Sequence, residues 1–411
     1  MQRRSGIYRI HVRELMGVLS VWLVLVAAAT VIGTPSARAQ TYSVLYSFKG
    51  PPDGGSPSAG LIRDSAGNLF GTTYYGGTAK LGVVYKLDST GKETVLYSFT
   101  GGADGANPFA SVILDPAGNL YGTTEFGGIT GGGCGNAGCG VVFKLDSTSA
   151  ETVITPFPAG GTSGKHPVAG VIQDSAGNLY GTTDVGGACH LPYGCGMVFK
   201  LGSTGTETVL HSFKGGADGT FPQSGLIRQS ESLYGTTFFG GTAGYGVVYK
   251  LDATGHETVL YNFTGGVDGA SPYGGVIRDS AGDLYGTTYY GGTANQGVVY
   301  KLDATGKETV LYNFTGRADG GSPSADVIRD SAGNLYGTTY YGGTAGYGVV
   351  YKLDATGDET VLYSFTGGAD GGHPSAGVIR DSAGNLYGTT LFGGITGCDG
   401  LSCGVVFKLT P

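Results

Sequence analysis

The stretch PSADVIRDSAGNLYGTTYYGGTAGYGVVYKLDATGDETVLYSF, residues 323–365, is the unit from which most of the chain is built. Its GTT tripeptide recurs seven times, beginning at Gly71, Gly122, Gly181, Gly235, Gly286, Gly337 and Gly388. A V-[YF]-K-L marker and a proline before the first apolar run recur in the same seven units. A period of about fifty residues over most of a chain is typical of tandem-repeat architectures.

Each unit contains four short segments rich in β-branched and aromatic residues, separated by Gly, Asp, Asn and Pro. The first is residues 376–381 in the last unit, and the other three have the form NLYGTT, GVVYKL and ETVLYSF. This composition is typical of strands joined by tight turns, and no segment after residue 40 has a helical period. The pattern predicts an all-β fold, a single seven-bladed β-propeller with four antiparallel strands per blade.

The two ends of the repeat region complement each other. The region begins with a lone fourth segment, residues 42–48, and ends with a third segment that no fourth segment follows. We expect the N-terminal strand to complete the last blade and so to remove an edge that would invite aggregation.

Residues 1–39 have the features of an export signal. Four arginines precede an apolar run from Met16 to Gly33, and an A-R-A cleavage pattern at residues 37–39 follows Pro35. The run is long enough for an uncleaved anchor, but Pro35 and the small residues favour cleavage. We therefore predict a signal peptide over 1–39, a propeller over 40–411, and a secreted or periplasmic protein.

The predicted mature chain is acidic. Removing the five Arg and one Glu of residues 1–39 leaves 24 − 5 = 19 basic and 31 − 1 = 30 acidic residues, a net charge of −11. This charge argues against nucleic-acid partners and anionic lipid surfaces. We expect a monomer without a membrane span after signal cleavage.

Six cysteines form three close pairs, each in the loop between the second and third strands of its blade. In an exported protein such spacing predicts three local disulfides, and a metal site would need further ligands nearby. The pairs are Cys134/Cys139, Cys189/Cys195 and Cys398/Cys403.

Aspartates recur in two kinds of position. Those in the tight turns, such as Asp330 and Asp354, are typical turn residues, and calcium binding there is the alternative. Others lie in the loop that crosses between blades, where they cap their own backbone or bind cations or hydroxyl groups. We include three of them, Asp268, Asp319 and Asp370, among the candidate ligand-binding residues.

Arginines recur in the first strand, which should line the central channel. They form ion pairs with repeat aspartates or, alternatively, an anion-binding channel. The candidates are Arg63, Arg228, Arg278, Arg329 and Arg380.

Aromatic residues are concentrated in the loops of blades 4 to 6, where we expect a ligand to bind through one face. Two aromatic residues follow each GTT in these blades, and we expect the second of each pair to be the buried one. The expected exposed set is Phe238, Tyr289, Tyr340, Tyr245 and Tyr347.

The third strand contains Phe in the three blades with cysteines and Tyr in the other four. We expect the additional hydroxyl to satisfy a backbone group. A second departure from the repeat is a polar cluster in blade 3, interpreted as repeat drift rather than as catalytic residues. It comprises Lys165, His166, Asp184 and His190, with Glu125 in the neighbouring blade.

The recurring x-L-Y-G-T-T-x-x-G-G … G-V-V-[YF]-K-L pattern resembles the GloVer tandem repeat of exported bacterial proteins over residues 42–411. The resemblance implies a secreted, propeller-like repeat protein of unassigned function. Family members often have a separate surface anchor, whereas this chain ends at Pro411 directly after a propeller strand, so we expect no C-terminal anchor.

Three functions fit these features. We favour a non-catalytic binding or scaffold module for a glycan or protein ligand, without a cofactor; calcium at the turn aspartates is the alternative. The alternatives are a hydrolase or lyase, with or without a metal ion, and a structural component of the cell surface or matrix. The near-identity of blades 5 and 6 argues against catalysis, which needs residues in distinct roles.

Overall fold

Seven four-stranded antiparallel sheets arise from the seven repeats and form a seven-bladed β-propeller, as the sequence predicts. The structure, a computed structural model, describes residues 40–160, 163–189, 194–398 and 401–410, without the side chains of residues 396 and 401. The expected signal peptide over 1–39 lies outside these ranges, as does His190. Within them, no helix combines the length and the apolar character that a membrane crossing requires.

The strands are short, and they are numbered here in chain order. The first eleven are β1 (Thr41–Ser47), β2 (Gly54–Gly55), β3 (Ile62–Arg63), β4 (Leu69–Thr73), β5 (Tyr75–Gly76), β6 (Val83–Leu87), β7 (Glu93–Ser98), β8 (Ile113–Leu114), β9 (Leu120–Thr124), β10 (Val141–Leu145) and β11 (Glu151–Pro156). The next ten are β12 (Gly164–Lys165), β13 (Ile172–Gln173), β14 (Leu179–Thr183), β15 (Val185–Gly186), β16 (Met197–Leu201), β17 (Glu207–Ser212), β18 (Ile227–Gln229), β19 (Ser232–Thr237), β20 (Val247–Leu251) and β21 (Glu257–Asn262).

The remaining strands are β22 (Val276–Arg278), β23 (Leu284–Thr288), β24 (Val298–Leu302), β25 (Glu308–Asn313), β26 (Ile328–Arg329), β27 (Leu335–Thr339), β28 (Val349–Leu353), β29 (Glu359–Ser364), β30 (Ile379–Arg380), β31 (Leu386–Thr390), β32 (Thr396–Cys398), β33 (Leu401–Ser402) and β34 (Val405–Thr410). A short 3₁₀ helix covers Gly132–Cys134. Blade 6 has the strand order β26-β27-β28-β29 from the innermost to the outermost strand, and the other blades follow the same plan.

Strand β1 completes the seventh blade, whose order is β1-β34-β31-β30. It pairs antiparallel with β34, with Thr41 opposite Thr410 and Ser47 opposite Val405. Tyr42 in the same strand stacks on Tyr363 of blade 6, with 3.8 Å between the ring centroids. The predicted closure is confirmed, and it covers both the edge of β34 and the boundary with the preceding blade.

The first threonine of each GTT tripeptide joins its blade to the next one. Thr338 Oγ1 donates a hydrogen bond of 2.9 Å to the carbonyl oxygen of Ala376, and Thr389 donates one of 2.9 Å to Ala59 across the closure. The equivalent donors in the other blades are Thr72, Thr123, Thr182, Thr236 and Thr287. Seven such bonds therefore link the blades into a closed ring.

Buried aromatic pairs fill the space between blades. The phenylalanine after each outermost strand packs edge-to-face on the third-strand aromatic of the next blade, as Phe314 does on Tyr351. All seven pairs have centroids 5.0–5.4 Å apart, and all fourteen rings are buried. Such pairs stabilise a core by about 0.5–1.5 kcal/mol each beyond the area that they bury.

The third-strand tyrosines do not use their hydroxyl groups as expected. The buried hydroxyls of Tyr85, Tyr249, Tyr300 and Tyr351 have no hydrogen-bond partner. Burial raises the pKa of all four. The expectation that they satisfy a backbone group is therefore wrong.

The tight turns lie on one face of the propeller, the turn face, and are built by capping aspartates. Asp354 Oδ1 accepts hydrogen bonds from Thr356 N, Thr356 Oγ1 and Asp358 N, at 2.8, 2.7 and 3.0 Å. These bonds, led by the one from the Thr356 hydroxyl, lower the pKa of Asp354. The turn reading of these aspartates is thus supported, and calcium binding there stays a prediction.

The opposite face, the loop face, has the longer loops between second and third strands and the blade-crossing loops. All three predicted disulfides lie in these loops, with Cα atoms 5.3, 5.9 and 5.4 Å apart. They join Cys134 to Cys139, Cys189 to Cys195 and Cys398 to Cys403.

Candidate functional site

The seven blades enclose a central cavity of about 360 Å³. The segments that follow each repeat proline line it and lead into the innermost strands. Among the described lining residues, Asp326 is the only charged one, at a position where the other blades have Gly or Ser. Its carboxylate accepts a hydrogen bond from the N–H of Gly275 in the adjacent blade. Enclosure by the cavity wall raises the pKa of Asp326, although the side chain is open to the cavity.

The residues that follow the GTT tripeptides form a ring around this cavity on the loop face, called the mouth ring here. All seven are half-buried: Tyr74, Glu125, Asp184, Phe238, Tyr289, Tyr340 and Leu391. Each donates its backbone N–H, at 3.0–3.2 Å, to the carbonyl oxygen of the residue before its own blade's repeat proline. This bond fixes the backbone position of each residue in the ring.

The residues before the repeat prolines have a left-handed backbone in all seven blades, with φ between 52° and 57°. They are Ser56, Asn107, His166, Phe221, Ser271, Ser322 and His373. Each donates its N–H to a loop carbonyl of the preceding blade, as His373 does to Tyr347 at 2.8 Å. Non-glycine residues in this region cost about 1–3 kcal/mol, and such strain persists only where the surroundings enforce it. The mouth ring is therefore held by a rigid, strained backbone.

Two carboxyl groups meet in the mouth ring. Burial raises the pKa of Glu125 to about 7; the Tyr74 hydroxyl opposes this shift by hydrogen bonding, and the charge of Asp184 adds to it. Burial also raises the pKa of Asp184 to about 6, against a hydrogen bond from Gln223. Asp184 Oδ1 and Gln223 Oε1 are buried without a hydrogen-bond partner. The site thus holds two unpaired acceptors that the surrounding side chains close off from solvent.

Tyr273 extends from blade 5 over the cavity toward these carboxyl groups. Burial, followed by the charges of Asp184 and Glu125, raises its pKa to about 12. Its ring centroid lies 5.8 Å from that of Phe238 and 6.2 Å from that of Tyr289. Side chains from blades 2 to 5 therefore converge at one point, where the seven-fold pattern of the repeat is lost.

The structure brings together only part of the polar cluster seen in the sequence. Glu125 and Asp184 interact, whereas His166 packs edge-to-face on Phe126 with 5.0 Å between centroids. Burial, followed by the charge of Lys165, lowers the pKa of His166. The mouth ring thus includes two members of the cluster that was interpreted as drift.

The expected exposure of the aromatic pairs is wrong. The second members, Phe239, Tyr290 and Tyr341, are each 45 % exposed. The first members are half-buried and lie in the mouth ring. The pairing of the crossing loop with the second residue explains the difference. Tyr341 bridges Gly321 and its ring stays exposed, while Tyr340 is half-buried against His373.

The candidate aromatic residues separate into two groups. Phe238 and Tyr289 flank Tyr273, while Tyr340 and Tyr347 both contact His373, with centroids 4.8 and 5.2 Å from it. Tyr347 and Tyr245 are exposed, as expected.

The crossing-loop aspartates cap their own loops. Asp319 accepts hydrogen bonds from the Tyr312 hydroxyl, at 3.1 Å, and from Thr315 N, at 2.8 Å. Asp268 and Asp370 make the same bonds with their equivalents. Their second carboxylate oxygen accepts from the Thr264 or Thr366 hydroxyl. These bonds support the turn reading, and a ligand role for the three residues stays a prediction.

The five arginines do not line the central cavity, contrary to the expectation. Each lies over a second-strand tyrosine of the preceding blade, as Arg329 lies 5.3 Å from the centroid of Tyr285. Arg329 Nη2 is also 3.9 Å from Asp279 Oδ2, which supports the ion-pair reading at this position. The other four are Arg63, Arg228, Arg278 and Arg380, at 5.7–5.9 Å.

Sequence reasoning missed Tyr273, Gln223 and Asp326. Tyr273 and Gln223 follow a repeat proline, a position that varies from blade to blade while its neighbours recur. That variation was the available signal, since a purely structural position would repeat like the rest.

The sequence matches the model of the Gloeobacter/Verrucomicrobia repeat over residues 32–136, 134–329 and 309–411. The chain belongs to this repeat family. No curated protein matches the sequence of this Gloeobacter/Verrucomicrobia repeat protein.

Several solved structures resemble the fold of this repeat protein. One is the extracellular domain of a candidate one-component system from B. thetaiotaomicron, with 12 % identity, a TM-score of 0.51, and coverage of 90 % of this chain and 42 % of that chain. Another is a candidate 6-phosphogluconolactonase from Bacteroides uniformis, with 16 % identity, a TM-score of 0.50, and coverage of 80 % and 88 %. At these identities the likeness shows the propeller fold alone.

Proposed function

We propose that this repeat protein is an exported carbohydrate-binding propeller, whose ligand binds at the mouth ring. The observation that supports this most is the convergence of Asp184, Glu125 and Tyr273 at a break in the seven-fold repeat. A symmetric scaffold has no structural need for such a break. A cavity of about 360 Å³ opens below it, within the range of about 300–1,000 Å³ for small-molecule sites.

The chemistry of the mouth ring suits a ligand rich in hydroxyl groups. Asp184 Oδ1 and Gln223 Oε1 are unpaired acceptors, and leaving them buried and unsatisfied costs about 1–3 kcal/mol each. Rotation of these two side chains toward the cavity, which Gln223 lines, would let ligand hydroxyls satisfy them. Tyr273 and the flanking Phe238 and Tyr289 offer ring faces and edges for the apolar side of a sugar.

The exposed rings farther out extend this surface. Phe239, Tyr290 and Tyr341 lie on the loop face of adjoining blades, and Tyr245 and Tyr347 lie nearby in the same loops. We propose that they contact further sugar units of a longer glycan, and a protein ligand is the alternative occupant. The protein would act as a monomer, and this binding needs no cofactor.

The three disulfides support export, because such bonds form and persist in oxidising compartments. We propose a secreted or periplasmic location. Thiol titration of the denatured, unreduced protein from its native compartment would find no free thiol if this is correct, and six if it is not.

A glycan array probed with the untagged chain, followed by titration calorimetry, tests the binding function. Tyr273→Ser should weaken binding at least about tenfold, or ~1.4 kcal/mol. Serine occupies this position in three other blades, so the fold should tolerate it. The matched control is Val209→Ala, an exposed residue on the outermost strand of blade 3 that is not part of the proposed surface. Loss of binding in the control, with none in Tyr273→Ser, would contradict a mouth-ring site.

A hydrolase is the second candidate, because a carboxyl with a pKa of about 7 beside one of about 6 suits general acid–base catalysis. Product formation from a bound glycan that Glu125→Gln abolishes, without a loss of affinity, would establish it. Binding without turnover supports the binding module instead.

A further inference from the structure

A polar trio recurs at the outer boundaries between blades. It consists of a tyrosine from an outermost strand, the crossing-loop aspartate, and in most boundaries the glutamate that begins the next outermost strand. At the boundary of blades 5 and 6, for example, Tyr312 Oη donates to Asp319 Oδ2 at 3.1 Å. The same tyrosine–aspartate bond, at 2.8–3.1 Å, forms at Tyr46, Tyr97, Tyr261 and Tyr363.

The boundary between blades 3 and 4 departs from this pattern, since His211 replaces the tyrosine. His211 Nε2 lies 3.6 Å from Asp218 Oδ2 and 3.7 Å from Glu257 Oε2. One ligand atom from each of the three side chains falls within 4.8 Å of the other two. No other such group of three occurs in the described part of the chain.

The trio lacks the internal hydrogen bond that its counterparts have. His211 Nε2 and Glu257 Oε1 are buried without a hydrogen-bond partner, and the Glu257 side chain is only 9 % exposed. At this position a tyrosine donates a hydrogen bond to the aspartate, whereas a neutral imidazole has a tautomer with a lone pair on Nε2. Histidine in place of tyrosine therefore puts a metal ligand, instead of a hydrogen-bond donor, between two carboxylates.

The spacing suits a single ion. Two ligands held about 2.1 Å from one zinc ion at a tetrahedral angle lie about 3.4 Å apart. The observed separations of 3.6 and 3.7 Å need only small side-chain rotations to reach this value. A cavity that Lys214 and His256 also line adjoins the trio, which leaves room for water or a fourth ligand.

We infer that His211, Asp218 and Glu257 form a binding site for one divalent transition-metal ion of the zinc class. Imidazole nitrogen favours such ions over magnesium and calcium, and the two carboxylates balance the charge of the ion. The site lies on the outer boundary of the propeller, where it would join blade 3 to blade 4.

The untagged chain, stripped with a chelator and titrated with Zn²⁺ by calorimetry, tests this inference. We expect one ion per chain. His211→Tyr restores the trio found at the other boundaries, so the variant should fold normally and lose the ion. The Zn²⁺ affinity should fall by more than about 10–100-fold, which is the loss expected when only a group that supports a metal ligand is removed.

The reciprocal variant gives a gain of binding that misfolding cannot imitate. Tyr261→His places the same three side chain types at the next boundary, beside Asp268 and Glu308. We expect this variant to bind two Zn²⁺ ions per chain. No Zn²⁺ binding by the original chain, undiminished binding by His211→Tyr, or a single ion in Tyr261→His would overturn the inference that these three side chains make the site.

Discussion

At Tyr351 a phenol hydroxyl is buried without a partner beside the glycine of the GTT tripeptide. A Cβ on Gly337 would lie 2.5 Å from this hydroxyl oxygen, so the glycine is needed to admit the ring. The three blades with phenylalanine at this position keep the same edge-to-face packing. The ring, and not the hydroxyl, is what the core of the propeller requires.

Tyr351→Phe should therefore leave stability unchanged or raise it by up to about 1–3 kcal/mol, the range for a buried unsatisfied polar group. Urea unfolding followed by circular dichroism measures the difference. The matched control is Tyr363→Phe, which removes a hydroxyl that donates to Asp370 and should destabilise the chain. A Tyr351→Phe variant less stable than the control would show that the hydroxyl has a partner.

At the scale of the element, the GTT strand joins neighbouring blades through its first threonine. Thr338→Val keeps the side-chain volume but removes the donor to the buried carbonyl of Ala376. We expect a loss of about 1–3 kcal/mol, because a buried acceptor is left unsatisfied. Thr344→Val removes an exposed hydroxyl directly after the glycine pair and serves as control in the same unfolding assay. Equal effects of the two substitutions would contradict a role for the inter-blade bond.

The strands, the tight turns and the disulfides follow from the sequence because each depends on local composition. The aromatic pairs do not. Alternation along a strand predicts that Tyr341 is buried, but the chain leaves the sheet after Thr339 and pairs with Gly321 of the crossing loop. A contact between two loops distant in sequence thus decides which ring is exposed.

At the scale of the molecule, closure is predictable because strand β1 and strand β34 are complementary parts of one repeat. The convergence of Tyr273 with two residues of the mouth ring is not predictable, because Glu125, Asp184 and Tyr273 belong to three different blades. They come together only because the seven blades close into a ring. The sequence marks these positions as departures from the repeat, but it cannot show that the departures meet.

Deleting residues 40–48 should destroy cooperative unfolding. The truncation exposes the edge of β34, breaks the Tyr42–Tyr363 stack and empties the position of the buried Phe48. Scanning calorimetry and light scattering would show a broad, lower transition with aggregation. A truncated chain that unfolds like the full one would contradict closure by this strand.

The stability of the whole propeller should fall as pH rises from about 4.5 to about 7. Burial, followed by the charge of a crossing-loop aspartate, raises the pKa of Glu308 and Glu359 to about 7 from 4.5. The folded state therefore binds more protons than the unfolded state in this window, and deprotonation favours unfolding.

Melting temperatures between pH 4.5 and pH 8 measure this slope. The double variant Glu308→Gln/Glu359→Gln should flatten it, since amides do not titrate. A melting temperature that rises from pH 5 to pH 7 in the original chain would show that these carboxyl groups are ionised without cost in the folded state.

The location of the ligand is the most direct test of the proposed function. A crystal structure of the chain with a glycan that it binds on an array should show density at the mouth ring. We expect ligand hydroxyls within hydrogen-bond distance of Asp184 and Gln223, and a sugar ring against Tyr273. Density confined to the turn face, or to the outer loops away from Glu125 and Asp184, would contradict the proposal.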